Sequence, residues 1–176
     1  MKNELTRQHQ TAQKIIGILL ATFAITSPVA QDFFTRGLVY QTPAMKNVIV
    51  KEANVFRSVN DTALTYDIYY PPGFNFKQQL PLVIFNNGVG SMDVPRWAIY
   101  KDWARLMAAN GLIAVNHQSR SANSLQDGEE LLDYLLQHAK SLNIDTAKIG
   151  VWTCSANARN SQSCRSSRRD QPRAAQ

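Results

Sequence analysis

Residues 149–158 read Ile149-Gly150-Val151-Trp152-Thr153-Cys154-Ser155-Ala156-Asn157-Ala158, and this stretch decides the fold. A short apolar run of this kind reads as a buried parallel strand. It gives way to a turn of small residues around Ser155, and Ala156 opens what reads as a helix. Strand, sharp turn and helix start are the context of a nucleophile elbow: the turn lifts the Ser above the sheet rim and aims the next backbone N–H at a developing oxyanion. Two residues either side of Ser155 stand Thr153 and Asn157, where the common pattern has Gly. The competing reading is an ordinary strand-to-helix turn whose Ser caps the helix.

Upstream, the chain supplies alternating elements. Asn47 to Val55 and Leu64 to Tyr70 are rich in β-branched and aromatic residues, and Asn60-Asp61 between them suits a turn, so they read as an antiparallel pair. Pro71-Pro72-Gly73 stops the second strand. Leu82-Val83-Ile84-Phe85 is the unbroken apolar run expected of a strand covered on both faces. The glycines of Asn86-Asn87-Gly88-Val89-Gly90 permit a tight turn and a close approach to a ligand.

Pro95 introduces a helix with Trp97, Tyr100, Trp103, Ala104, Met107 and Ala108 along one stripe, ending at Asn110-Gly111. Leu112 to Val115 is the next buried strand, and Asn116-His117-Gln118 leaves it. Gln126 to Ser141 reads as a second helix, its Leu131, Leu132, Leu135, Leu136 and Ala139 face opposite Asp127, Glu129, Glu130 and Lys140. Asn143 to Lys148 reads as a polar connection into the Ser155 strand. The alternation predicts an α/β fold: a mostly parallel sheet behind an antiparallel strand pair, with right-handed crossovers and helices on both faces.

With 176 residues and 44% apolar content, a single globular domain is the expectation. The net charge of +6 is unevenly placed. Residues 159–176 hold five arginines against Asp170 alone, a net +4, which leaves +2 on the first 158 residues. The body is therefore not a polyanion binder by charge, and no nucleic-acid partner is expected. Cys154 and Cys164 are too few for a disulfide framework. No metal site and no organic cofactor are implied.

From about Val55 to Ala158 the chain resembles the N-terminal half of an α/β-hydrolase, in the dienelactone-hydrolase-like esterase branch. Three segments carry the resemblance: Tyr66-Asp67-Ile68-Tyr69-Tyr70-Pro71-Pro72-Gly73, the run from Pro81 to Gly90, and the run from Asp145 to Asn157. The resemblance implies a partial α/β-hydrolase fold, with Ser155 as the acyl-accepting nucleophile and the backbone N–H groups of Val89 and Ala156 as the oxyanion hole. A small-molecule acyl substrate, such as a carboxylic ester, follows from it. Asn87 stands where the family has His, and Asn87, Gly88, Trp97 and His117 are candidates to line the cleft. Cys154 as nucleophile would need bulky Trp152 at a position that must be small, so it reads as a core Cys. His117 reads as a surface-loop residue, since the family's triad His follows the last strand. Asp127, Glu129 and Glu130 read as an acidic first helical turn.

The ends have another character. Lys2, Arg7 and Lys14 precede the uncharged run Ile15–Ile25, too short to cross a bilayer comfortably and the right length for a signal-peptide core. Residues 1–30 are expected to direct export, to periplasm or medium, with membrane attachment only if the segment stays uncleaved. Residues 31–45 read as a linker, 46–158 as an incomplete hydrolase domain and 159–176 as a disordered basic tail. A triad in this fold runs Ser, acid, His. After Ser155 there is no His and the only acid is Asp170, and the tail has no aliphatic residue larger than Ala. A reading frame truncated or shifted near Arg159 is the expectation, with loss of most activity. The alternative is a non-catalytic exported binding or scaffold protein on the same sheet.

Overall fold

Two strands joined by two left-handed residues start the sheet. Asn60 and Asp61 have φ of 46° and 60°, the conformation of a two-residue hairpin turn, and they connect β1 (Ile49–Val59) to β2 (Thr62–Tyr70). The structure, a computed structural model, describes residues 35–87 and 91–154. Met1–Arg36 and Gly37–Gln176 cluster as separate units, and everything below concerns the second. A bulge interrupts β1 between Lys51 and Asn54. There Ala53 takes φ 56° and its N–H donates to Asp67 Oδ1 at 2.8 Å, while Asn54 Nδ2 donates to the Tyr66 carbonyl. The bulge thus gives the buried Asp67 carboxylate a backbone donor, which an unbroken ladder would have withheld.

The other strands are β3 (Leu80–Asn86), β4 (Ile113–His117) and β5 (Ile144–Thr153), and the sheet order is β1-β2-β4-β3-β5. β1, β2 and β4 pair antiparallel; β3 pairs parallel with both β4 and β5. Two helices make the crossovers, α1 (Ala98–Ala109) from β3 to β4 and α2 (Ser124–Gln137) from β4 to β5. The first crossover steps one way along the sheet and the second steps back over β3. Right-handed crossovers of opposite direction put their helices on opposite faces, and the core divides accordingly.

On one face Leu131 and Leu135 of α2 pack with Tyr66, Ile68, Leu82, Ile84, Ile113 and Val115. On the other, Ala104 and Ala108 of α1 pack with Tyr69, Phe85 and Ala114. The small side chains of the second cluster let α1 lie close to the strands, while the first carries most of the burial. Each large side chain there contributes roughly 1.5–3 kcal/mol.

The helix limits follow from local chemistry. A 3-10 turn, Val94–Arg96, uses Pro95, and α1 begins after Trp97. α1 ends where Gly111 takes φ 91°, with the Gly111 N–H bonded to the Ala108 carbonyl and the Leu112 N–H to that of Met107, a Schellman stop. α2 starts at Ser124 and stops at Gln137, four residues short of the expected Ser141. The 138–143 turn ends in Asn143 at φ 61°, whose Nδ2 donates to the carbonyls of Phe76 and Gln78.

Two expectations about strands are corrected. β4 continues through Asn116 and His117, and residues 144–148 belong to β5, with Ile144 fully buried opposite Leu80. Across the end of the stretch read as linker, Pro43–Asn47 form a 3-10 turn with Met45 buried, and within that stretch the Leu38 N–H donates to Asp102. Among the described residues no helix is long and apolar enough to cross a membrane. The apolar run at 15–25 and the basic tail lie outside those residues.

Candidate functional site

Reversal of crossover direction at β3 creates a switch point. In open parallel sheets, ligands bind outside the carboxyl ends of the strands at such a point. Here that place is the end of β3 and its neighbour β5, where Phe85 pairs with Trp152 and Asn86 with Thr153. The Cys154 N–H then donates to the Asn86 carbonyl at 3.3 Å. Two segments that sequence analysis chose independently, the one after Phe85 and the one ending in Ser155, are therefore joined at their roots by a backbone hydrogen bond. Ser155, Ala156, Gly88 and Val89 themselves lie outside the described residues.

Strand alternation sorts what surrounds this rim. Toward α1 lie Phe85 and Trp152, ring centroids 5.4 Å apart, and Tyr100 stands 6.3 Å from Trp152 and 6.0 Å from Trp97. This aromatic wall holds Cys154, whose Sγ is 4.0 Å from the Tyr100 hydroxyl; the thiol is half-buried. Asn116 is fully buried on the same side and donates through Nδ2 to the Tyr100 carbonyl. Asn87, a sequence candidate, is buried at the rim. Trp97, another, is half-buried and caps α1, stacked on Tyr100.

Toward α2 the finding differs from expectation. His117 is no surface-loop residue: it is 3% exposed, in the last position of β4. Residues 113, 115 and 117 share a face, so the alternation that buries Ile113 and Val115 buries the imidazole too. Its ring stands 6.4 Å from that of Phe56, and its Nδ1 is 3.1 Å from the Gln118 carbonyl. A carbonyl only accepts, so Nδ1 carries the proton. Burial holds the His117 pKa below the usual imidazole range, against the smaller opposing effects of the Gln118 carbonyl and the Asp127 charge.

Asp127 is the other correction. It does lie in the first turn of α2, but it is fully buried instead of facing away from the leucines. Its carboxylate accepts from the Arg120 backbone N–H at 2.7 Å and from the Arg120 guanidinium through both oxygens. The pair ties the segment leaving β4 to the first turn of α2. Glu130, one turn on, pairs with Arg57 of β1. The burial of Asp127 was legible in the sequence, since it precedes Leu131 and Leu135 by four and eight residues, on the same helical stripe. His138, inside the expected helix, is instead the exposed residue that follows α2, with its ring stacked 4.1 Å from that of Tyr134.

No protein-family model matches the sequence, and no curated protein matches it. Solved structures do. An esterase from Thermogutta terrifontis, Est2 with propionate bound, is 23% identical with a TM-score of 0.56, over 67% of this chain and 45% of the esterase. A brefeldin A esterase, a bacterial homologue of human hormone sensitive lipase, is 16% identical with a TM-score of 0.62, over 87% and 45%. Esterase B from Lactobacillus rhamnosis is 17% identical with a TM-score of 0.56, over 82% and 45%. The fold is a partial α/β-hydrolase fold. The chain spans under half the length of each of these structures.

Proposed function

We propose that the chain derives from a serine hydrolase acting on a carboxylic ester or related acyl substrate, with Ser155 forming the acyl-enzyme. The observation that carries the reading is the junction of β3 and β5, where the Cys154–Asn86 hydrogen bond roots the Ser155 segment beside the glycine-containing one. The fold shared with structures named as esterases supports it. Backbone N–H groups of Val89 and Ala156 would bind the oxyanion, contacts worth about 3–4 kcal/mol each in comparable sites. The dienelactone-hydrolase-like branch is the finer assignment, resting on the three segments quoted above. Export through residues 15–25 is part of the same proposal, tested by sequencing the mature N-terminus.

All three histidines, His9, His117 and His138, precede Ser155. Expressed by itself, the 176-residue chain is therefore proposed to hydrolyse esters slowly, because an unassisted Ser hydroxyl is a weak nucleophile. An oxyanion hole without a complete triad still accelerates acyl chemistry by roughly 10³–10⁴-fold over water. A fluorophosphonate probe should thus label Ser155 faster than Ser161, Ser163, Ser166 or Ser167, by peptide mass spectrometry. Equal labelling of all five would reject the reading in favour of a non-catalytic binding protein.

A further inference from the structure

A small cavity lies beneath α2 at the ends of β3, β4 and β5. Ile84, Leu125, Leu132 and Val151 give it apolar walls beside Gly128, and Asn86 and His117 are its hydrogen-bonding side chains. Its volume is about 20 Å³, room for a single water. His117 is 3% exposed and Asn86 8% exposed. His117 Nε2 and Asn86 Oδ1 are both buried with no hydrogen-bond partner among the described residues.

The chemistry of these two atoms is specified. With the Nδ1 proton committed to the Gln118 carbonyl, Nε2 offers only a lone pair, and Asn86 Oδ1 is likewise an acceptor. A buried acceptor without a donor is costly, and two acceptors in one cavity call for a molecule with two donor hydrogens. An ammonium ion would bring a charge into apolar walls that hold no carboxylate. Asp127, whose charge acts on His117, has its carboxylate engaged by Arg120. We propose that this recess, whose walls Leu125 and Val151 are 36% and 39% exposed, is a site for one bound water at its buried end, which donates to His117 Nε2 and to Asn86 Oδ1. It links the last residues of β4 and β3 under α2, and stands apart from the function proposed for Ser155.

Solution NMR of the full chain tests it. The expected wild-type result is a His117 ring protonated at Nδ1 and bare at Nε2, with cross-relaxation from a long-lived water to its ring protons and to the Ile84 methyl groups. Asn86→Leu removes one acceptor and adds apolar bulk, and those water cross-peaks are expected to vanish. Leu132→Phe fills the cavity from the opposite wall and is expected to abolish them as well, which covers failure of the first variant to fold. A proton found on Nε2, absence of the water cross-peaks in the wild type, or their survival in a folded variant would overturn the proposal.

Discussion

Replacing Gly128 with Ala should stabilise this protein, and the same change at Gly111 should do the reverse. Gly128 is the fifth residue of α2, half-buried, with no left-handed φ. Ala is favoured over Gly in a helix interior by about 0.8–1.0 kcal/mol. A Cβ at position 128 meets no protein atom closer than Asn86 Nδ2 at 3.9 Å, so no clash with the protein opposes the gain, and the recess beside Asn86 receives the methyl. Partial burial of the methyl adds up to about 0.4 kcal/mol, for a total of about 0.8–1.4 kcal/mol.

At Gly111 a Cβ has open space for 4 Å around, yet φ is 91°. Only the backbone objects there, and the left-handed conformation costs a non-Gly residue about 1–2 kcal/mol. Urea unfolding followed by tryptophan fluorescence measures both. With a slope of about 2 kcal/mol per M, the midpoint should rise by ~0.4–0.7 M in Gly128→Ala and fall by ~0.5–1 M in Gly111→Ala. A lowered midpoint for the first, or a raised one for the second, would refute the placement of these glycines.

Other consequences concern ionisation and the sheet edge. Because burial lowers the folded pKa of His117, the unfolded chain binds the extra proton as pH falls below about 6.5. Stability is thus full above that pH and declines below it, by at most about 1.4 kcal/mol per unit. Urea midpoints at pH 7.5 and 5.5 should show a smaller drop in His117→Gln than in the wild type; equal drops would mean that the ring is not buried neutral. Burial pushes Tyr70 up to about 12, and Tyr66 and Tyr69 are raised further, chiefly by the same desolvation. Stability should accordingly fall as pH rises above about 10, where the unfolded chain loses these protons first. An ultraviolet titration should find fewer tyrosinates at pH 11 in the folded chain than in urea, and equal numbers in a chain still folded would count against the packing. Among the described residues β5 is one of the two edge strands of the sheet, with Val151 39% and Trp152 36% exposed, the kind of edge that recruits another chain. Val151→Lys should reduce concentration-dependent association in sedimentation velocity, and an unchanged profile would exonerate the edge.

Elements with strong local chemistry could be read from the sequence. Asn60-Asp61 specify a hairpin turn, and Gly111 of Asn110-Gly111 a helix stop, through left-handed residues. The uninterrupted apolar runs at 82–85 and 112–115 yielded the central strands because both their faces are covered. What escaped depends on partners distant in the chain. Residues 144–148 look like a connection because Asp145, Thr146 and Lys148 are polar. They form a strand because β5 is outermost, and a register shift after Leu80 seats Ile144.

Asp127 was assigned to the wrong side of α2, since its burial depends on Arg120 arriving from β4 with both a guanidinium and a backbone N–H. His117 shows the reverse case. The period-two pattern from Ile113 through Val115 already pointed inward, and the polar neighbours Asn116 and Gln118 masked it. At the rim, the sequence marked both segments that meet at Asn86 and Cys154. Tyr100 and Asn116 read only as part of a helix stripe and of a strand exit, because an aromatic on such a stripe and an amide at a strand end carry no local signature of a site.

Acylation is the most direct test of the central claim, that position 155 holds a nucleophile. The chain and its Ser155→Ala variant would be incubated with p-nitrophenyl acetate, quenched in acid, and mapped by peptide mass spectrometry. An acetyl group concentrated on Ser155, and lost from the variant, is the predicted result. Acetylation centred on Cys154, or scattered over lysines and tail serines alike in both proteins, would contradict it.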